Sequence, residues 1–320
     1  MKYTAVIRTL GKAGVKYQAL LDSLCAQTIQ PEAIIVYLAD GYPIPKETCG
    51  REQYVYVKKG MVAQRALNYD EVSSEYILFL DDDVYVAPDG VEKLFEELRL
   101  NNADVISPDV FDNASRGLKA ELMMTISGRM RARRGDSVWG YKVMATGGYS
   151  YNKSPQNKSY LSQTNAGPCF LCRKLDFLRI RFEDELWLDR TNYAIGDDQV
   201  MFYKMYLAGL KLLTVFGTGI KHLDAGENLG NKAKELKIVE GDYFFRKIFW
   251  HRFLHVPERN KFRRIWRKLC LCYFYGFGVL MAVVKGDKNG LSAKCEGMAR
   301  ANAFLKSKQY SELPLICKQV

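Results

Sequence analysis

The chain has 320 residues, 48% hydrophobic and 26% charged, which excludes a disordered chain and leaves room for one large domain or two small ones. The formal net charge is +11, and it is uneven: between Arg246 and Lys268 stand nine Lys or Arg against one acidic residue, Glu258. Nine less one places eight of the eleven charges there, which argues against a nucleic-acid surface spread over the protein.

The first hundred residues alternate strand and helix patterns. Residues 3–9 predict a strand, followed by a loop with Gly11 and Gly14. Leu20, Leu21, Leu24 and Cys25 stand at helical spacing and predict a helix over 17–27. Residues 33–38 predict a second strand ending at Asp40-Gly41, 54–57 a short third, and 62–72 carry a helix pattern. The run Tyr76-Ile77-Leu78-Phe79-Leu80 predicts a strand buried on both faces, ending in Asp81-Asp82-Asp83. A helix over 88–100 follows, with Pro88 and Asp89 in its first turn. Such alternation implies a parallel sheet covered by helices, with ligands at the carboxyl ends of its strands, where Asp40 and the triplet both fall.

Three adjacent carboxylates repel one another unless positive charge sits among them. A divalent cation carrying a nucleoside diphosphate answers that need, because hard cations share oxygen ligands with phosphates. The plainer alternative is a charged strand end that starts a turn.

Beyond residue 104 the patterns weaken. Residues 105–106 resemble a short strand, 129–134 form a basic cluster, and 147–158 read as a long polar loop. Strand signals return at 167–171 and 211–216, with a helix pattern over 198–207 between them. Cys169 and Cys172 make the one C-x-x-C; without a matching pair for zinc they read as buried free thiols suited to a reducing compartment. The first residues enter a strand directly with no secretory pattern, so a cytoplasmic location is expected, with peripheral attachment to the inner face of the cytoplasmic membrane as its variant.

Three blocks of sequence now resemble family 2 glycosyltransferases of the GT-A fold, over roughly residues 3–225. Ser23-Leu24 and Gln27 match the family's S-L-x-x-Q, leading to Asp40-Gly41. Asn68 through Glu75 to the triplet is close to the family's typical wording. Gly196-Asp197-Asp198-Gln199, Leu207-Ala208-Gly209-Leu210 and His222 form the third block. A lone D-x-D is weak; the three blocks in order and at family-like spacing carry the resemblance. Two departures stand out: Arg8 where the family usually has Pro, and Ala39-Asp40 where it usually has two acidic residues.

The resemblance implies a Rossmann-like, mainly parallel α/β sheet and inverting transfer of a sugar from a nucleotide-sugar donor, a UDP-sugar ahead of GDP- or dTDP-sugars, to a hydroxyl of a glycan or lipid-linked acceptor. Asp81 and Asp83 would be the D-x-D pair holding Mn²⁺ or Mg²⁺, with Asp83 the direct ligand and His222, one of three histidines, completing the set. Asp198 would be the general base, supported by Asp197, although both also suit a helix cap. The donor side would be Thr9, Asp40, Arg65, Asp81 and Asp82. Position alone puts Trp139, Gly147, Gly148, Gln163 and Asn165 on the acceptor side. The same resemblance divides the chain into a GT-A domain over 1–225, with a nucleotide-binding half over 1–100 and an acceptor half over 101–225, and a helical region over 226–320.

In that last region the residues stand without the family's help. Phe245, Ile248, Phe249 and Phe253 recur at helical spacing among Arg246, Lys247 and Arg252; Phe262, Ile265, Trp266 and Leu269 do the same among Arg263, Arg264, Arg267 and Lys268. An apolar run over 269–284 follows. Three readings compete: a monotopic anchor on an anionic membrane through residues 243–284, a packed helical appendage, and a span. The anchor reading suits a lipid-linked acceptor, as in the assembly of bacterial surface polysaccharide. Two other classes stay open for the whole chain, a nucleotidyltransferase of related fold and a non-catalytic protein that binds nucleotide-sugars or membrane surfaces; neither involves nucleic acid.

Overall fold

The computed structural model describes residues 2–110, 117–133, 138–191, 194–223 and 231–316. The boundary expected at 225/226 and the last residue of the basic cluster, Arg134, lie outside them.

The chain opens with β1 (Tyr3–Thr9), α1 (Val15–Cys25), β2 (Ala33–Ala39), β3 (Glu52–Val57), β4 (Tyr76–Asp81), the two-residue β5 (Val84–Tyr85) and α2 (Gly90–Leu100). It continues through β6 (Val105–Pro108), α3 (Leu118–Ile126), β7 (Met130–Arg133), β8 (Trp139–Val143), β9 (Tyr149–Asn152), β10 (Ser159–Ser162) and β11 (Cys169–Arg173). Then come α4 (Lys174–Arg179), a 3-10 segment over Phe182–Arg190, α5 (Asp197–Leu207), β12 (Leu212–Val215) and β13 (Lys221–His222). The chain ends in α6 (Lys232–Phe249), a π-helical turn over Trp250–His255, α7 (Lys261–Val284), α8 (Lys288–Leu305) and α9 (Lys308–Ser311).

Eleven strands form one sheet in the order β3-β2-β1-β4-β11-β6-β12-β10-β8-β9-β7. β3, β2, β1 and β4 run parallel, β11 lies antiparallel between β4 and β6, and β6 runs parallel to β12. The sheet is mixed and mainly parallel. β5 and β13 form a separate ribbon that pairs His222 with Val84. Because side chains alternate along a strand, Ala5, Ile7, Ile34, Val36, Leu78 and Leu80 pack with α1 and α2 on one face. Val6, Ile35, Tyr37, Ile77 and Phe79 face the other core, together with α5 and the C-terminal helices. Burial on both sides explains why these strands read as continuous apolar runs.

Several sequence expectations need correction. Residues 62–72 are turns rather than a helix: Tyr69 adopts a left-handed φ of 57° that ends any helical path, while Asp189 accepts the Val62 and Ala63 amides at 2.9 Å each. The apolar residues of that segment are buried without being helical. The polar loop expected over 147–158 contains β9, and the basic cluster contains β7. The amphipathic segment and the apolar run after it are one 24-residue helix, α7. Cys169 and Cys172 are buried free thiols.

The membrane reading fails for the first half of its expected range. Phe244, Phe245, Ile248, Phe249 and Phe253 lie in the same core as Trp187, Phe202 and Tyr203. The arginine beside them is buried on a partner: Glu185, fully buried, accepts from Arg252 Nη2 at 2.9 Å, Lys204 Nζ at 3.0 Å and Trp187 Nε1 at 2.7 Å. The aromatic face around residues 244–253 is therefore interior.

Burial alone would raise the Glu185 carboxyl, but Lys204 and Arg252 outweigh it and hold it below its ordinary 4.5. A carboxylate whose ionisation is depressed on folding stabilises fully above the unfolded value and loses that contribution as pH falls through the folded one. Glu185→Gln leaves two buried cations without their anion, and should cost about 3–5 kcal/mol at pH 7. In urea unfolding from pH 7 downward, the gap between wild type and variant should hold above 4.5 and close below it.

Candidate active site

The carboxyl end of β4 is where the backbone runs out of strand and three carboxylates meet. Each has a different environment. Asp81 is gripped by two arginines: Arg8 engages both its oxygens through Nε and Nη2, the latter at 3.0 Å, and Arg65 Nη2 donates to Oδ1 at 3.1 Å. Burial would lift the Asp81 carboxyl, but Arg8 and Arg65 overcome that and hold it below the usual carboxylate range. Asp82 bonds the Thr9 hydroxyl, which also accepts the Gly11 amide at 2.7 Å. Burial, with repulsion from Asp81 and Asp83, pushes the Asp82 carboxyl up to about 6 against the Thr9 bond.

Asp83 immediately precedes the ribbon. Its carbonyl accepts the Leu223 amide at 2.8 Å, and that pairing sets His222 Nε2 3.1 Å from Asp83 Oδ2. Burial works to lower the His222 ionisation, but the hydrogen bond and charge of Asp83 outweigh it and raise it above 6.5. Two ligands on adjacent corners of an octahedron with bonds of about 2.1 Å stand about 3 Å apart, so this oxygen and this nitrogen are spaced to share one cation. The donor set fits Mn²⁺ or Mg²⁺, with a diphosphate to supply further oxygens. Among the described residues, no three carboxylate, histidine or cysteine side chains form a complete cation cage.

Opposite the strand end, α5 opens on Asp197 and Asp198, with Gly196 before them in a left-handed conformation. Asp198 accepts from Arg65 Nη1 at 3.0 Å and from the Gly167 amide at 2.9 Å. Its side chain is 31% exposed, against 11% for Asp197, so Asp198 is the member of the pair that a substrate can reach. Asp197 receives Arg8 Nη1 at 3.3 Å, and burial, then the charge of Asp198, push its carboxyl well above the usual range.

Arg65, expected only as a donor-side residue, joins the two acidic motifs: with 2% exposure it bonds Asp81, Asp198 and the Gly167 carbonyl at 2.9 Å. Arg8 does the same for Asp81 and Asp197, and sequence reasoning passed over it. The signal was there as a charged residue inside an apolar strand, at the position where the resemblance leads one to expect proline. Gln64 adds a neutral clamp, donating to the carbonyls of Thr9 and Tyr37 at the ends of β1 and β2.

The remaining sequence candidates separate. Asp40 is exposed just past β2, its amide bonded to Val57. Gly147 reaches α5, accepting from Gln199 Nε2 at 2.9 Å, and Gly148 lies against Arg246 and the Arg129 carbonyl. Trp139 packs edge-on to Tyr206. Gln163 and Asn165 are turned to the sheet: Gln163 Oε1 accepts the Val143 amide, and Asn165 bonds Thr214 and the Leu213 carbonyl. Those two amides hold strands together.

Residues 52–173 match the family model described as Glycosyl transferase family 2. No curated protein matches the chain. A crystal structure of GalNAc-T7 with UDP, GalNAc and Mn²⁺ is similar to it at 12% identity and a TM-score of 0.48, over 84% of this chain and 55% of that one, so the chain spans about half the length of that protein. The family match begins with β3 and ends with β11, and so takes in the strand that carries the triplet and the strand paired beside it.

Proposed function

We propose that the protein transfers a sugar from a nucleotide-sugar donor to a hydroxyl of a glycan or lipid-linked acceptor, inverting the anomeric carbon. The observation that carries this reading is Arg65, whose single guanidinium holds the carboxylate ending β4 and a carboxylate opening α5. A strand end suited to a diphosphate and a base suited to a hydroxyl thereby share one crevice.

Asp83 Oδ2 and His222 Nε2 would hold the divalent cation, Mn²⁺ or Mg²⁺. A cation there offsets the charge that develops on the departing nucleoside diphosphate. Asp81, with its oxygens engaged by Arg8 and Arg65, acts as the anion that fixes both arginines rather than as a free ligand. Asp82, steadied by Thr9, and the exposed Asp40 lie on the donor side. Asp198 accepts the proton of the acceptor O–H as the oxygen attacks C1, and the bond from C1 to the diphosphate breaks with its electron pair leaving on the diphosphate. Each Asp198 oxygen has more than one acceptor direction, so its bonds to Arg65 and Gly167 aim the carboxylate without exhausting it. Attack from the face opposite the leaving group inverts the centre in one displacement. A UDP-sugar is the first donor to try, ahead of GDP- and dTDP-sugars.

The direct test is release of nucleoside diphosphate from a panel of UDP-, GDP- and dTDP-sugars with Mn²⁺ or Mg²⁺. One donor should turn over only with metal, and Asp83→Ala should abolish it; failure of every donor to bind in the presence of metal overturns the reading. Asp198→Asn should lower kcat by about 10²–10⁴-fold while leaving donor affinity within a few-fold. Gly167→Ala is a sharper probe: a Cβ there would stand 1.8 Å from Asp198 Oδ1 and 2.9 Å from Arg65 Nη1. The carboxylate must move aside, and a displacement of about 1 Å should cost about 100-fold in kcat, read alongside an unchanged donor Kd by titration.

A further inference from the structure

We propose that α7, with α3 beside it, is a docking face that lies flat on an anionic lipid surface. The two helices expose apolar side chains where a protein surface ordinarily shows polar ones.

On α7 the exposed large apolar residues are Phe262, Ile265, Trp266, Leu269, Tyr273, Leu280, Val283 and Val284. At about 100° per residue they fall within one arc of roughly 120°, a stripe running the length of a helix about 36 Å long. Phe262 is 84% exposed and Trp266 63%. The stripe faces away from the protein because the opposite side is occupied: Leu271, Phe274 and Ala282 are buried, Trp250 Nε1 donates to the Arg267 carbonyl at 3.1 Å, and Tyr275 donates to the Tyr243 carbonyl at 2.9 Å.

α3 repeats the pattern on its own. Leu118, Leu122 and Ile126, spaced by four, are all exposed. The Tyr273 hydroxyl donates to the Ile126 carbonyl at 2.7 Å, joining the end of α3 to the middle of the α7 stripe. Between the helices a cavity of about 300 Å³ has Met123, Met124, Phe277 and Met281 in its wall beside charged groups that include Arg129, Asp242, Lys285 and Asp287. Soluble monomers rarely expose a contiguous apolar patch beyond a few hundred Å² without a use for it.

Charge selects the occupant. α7 contains no Asp or Glu, and Arg263 on one flank with Lys261 and Lys268 on the other lie about a quarter to a third of a turn from the stripe. All three are exposed, as are Lys119 on α3 and Lys285 just past α7. Long basic side chains around an apolar, Trp-containing stripe suit a headgroup layer, where the stems lie along the apolar boundary and the charges reach phosphate. By length and composition alone α7 is also long and apolar enough to cross a bilayer. Its bonds to Trp250, Tyr243 and α3 tie one side of it to the protein along its length, and lipid could surround it only by breaking them. The geometry therefore favours lying on the membrane over crossing it.

The test uses the full chain and vesicles of phosphatidylcholine with or without a phosphatidylglycerol fraction, and it needs no donor or acceptor. Co-sedimentation should appear with phosphatidylglycerol, weaken with salt, and fall at least tenfold in the pair Trp266→Asp, Leu280→Asp, whose exposed positions leave thermal unfolding unchanged. Arg263→Glu with Lys268→Glu should remove the preference for phosphatidylglycerol. Trp266 fluorescence should shift to the blue on binding, a signal that Trp266→Phe removes while still sedimenting. Absence of sedimentation at low salt overturns the proposal, as does undiminished binding by the double Asp variant. Extraction by detergent but not by high salt or carbonate would make α7 a span. A concentration-dependent dimer broken by Trp266→Asp, with no lipid binding, would assign the face to a second copy of the chain; either result overturns the proposal.

Discussion

A guanidinium buried between two acidic motifs fixes the geometry of the site. Arg65 is almost wholly out of water, a position that costs several kcal/mol for an unpaired charge and is tolerable only where hydrogen-bonded anions surround it. Asp81, Asp198 and the Gly167 carbonyl supply that surrounding, and Arg8 repeats the arrangement with Asp81 and Asp197. Five carboxylates, counting Asp82 and Asp83, thus meet two guanidiniums. Burial first, and then repulsion from neighbouring carboxylates, raises the carboxyls of Asp82 and Asp197. A site with this imbalance favours positive charge at its open side, where Asp83 and His222 stand.

The same logic of buried charge holds the C-terminal helices to the rest. Glu185 on the 3-10 segment receives Lys204 from α5 and Arg252 from the π-helical turn after α6. Aromatic packing surrounds it: Trp187 stacks obliquely on Phe304 of α8, and Tyr203 of α5 lies against Phe249 and Phe253. The helix that opens on the acidic pair is therefore braced from behind by residues more than forty positions further along the chain. Local alignment of Asp198 depends on packing that no motif near it records.

How much of this could be read in the sequence follows from what each signal measures. Strands buried on both faces, such as β1, β2 and β4, announce themselves because every position is apolar, and their bounds were legible almost to the residue. The pairing of Asp81 with Arg65, or Asp83 with His222, joins residues 16 and 139 positions apart, and only a family resemblance could bring the second together. Periodicity failed at 62–72, where the helical path is broken by Tyr69 in a left-handed conformation. It failed again over 245–253, since spacing identifies an apolar face but not what covers it: the aromatic residues there meet α5 and α8, while the same pattern in α7 is exposed. Arg8 was visible and went unused, because a strand's pattern says nothing about which carboxylate waits at its end.

Gly167 carries one more consequence. Its missing side chain is what lets the Asp198 carboxylate and Arg65 close over the backbone of the loop before β11, and any replacement intrudes on both. A side chain at this position therefore cannot be added without displacing the Asp198 carboxylate. Exposed positions such as Asp40 carry no such constraint: a side chain there can change length or charge without meeting Asp198 or Arg65.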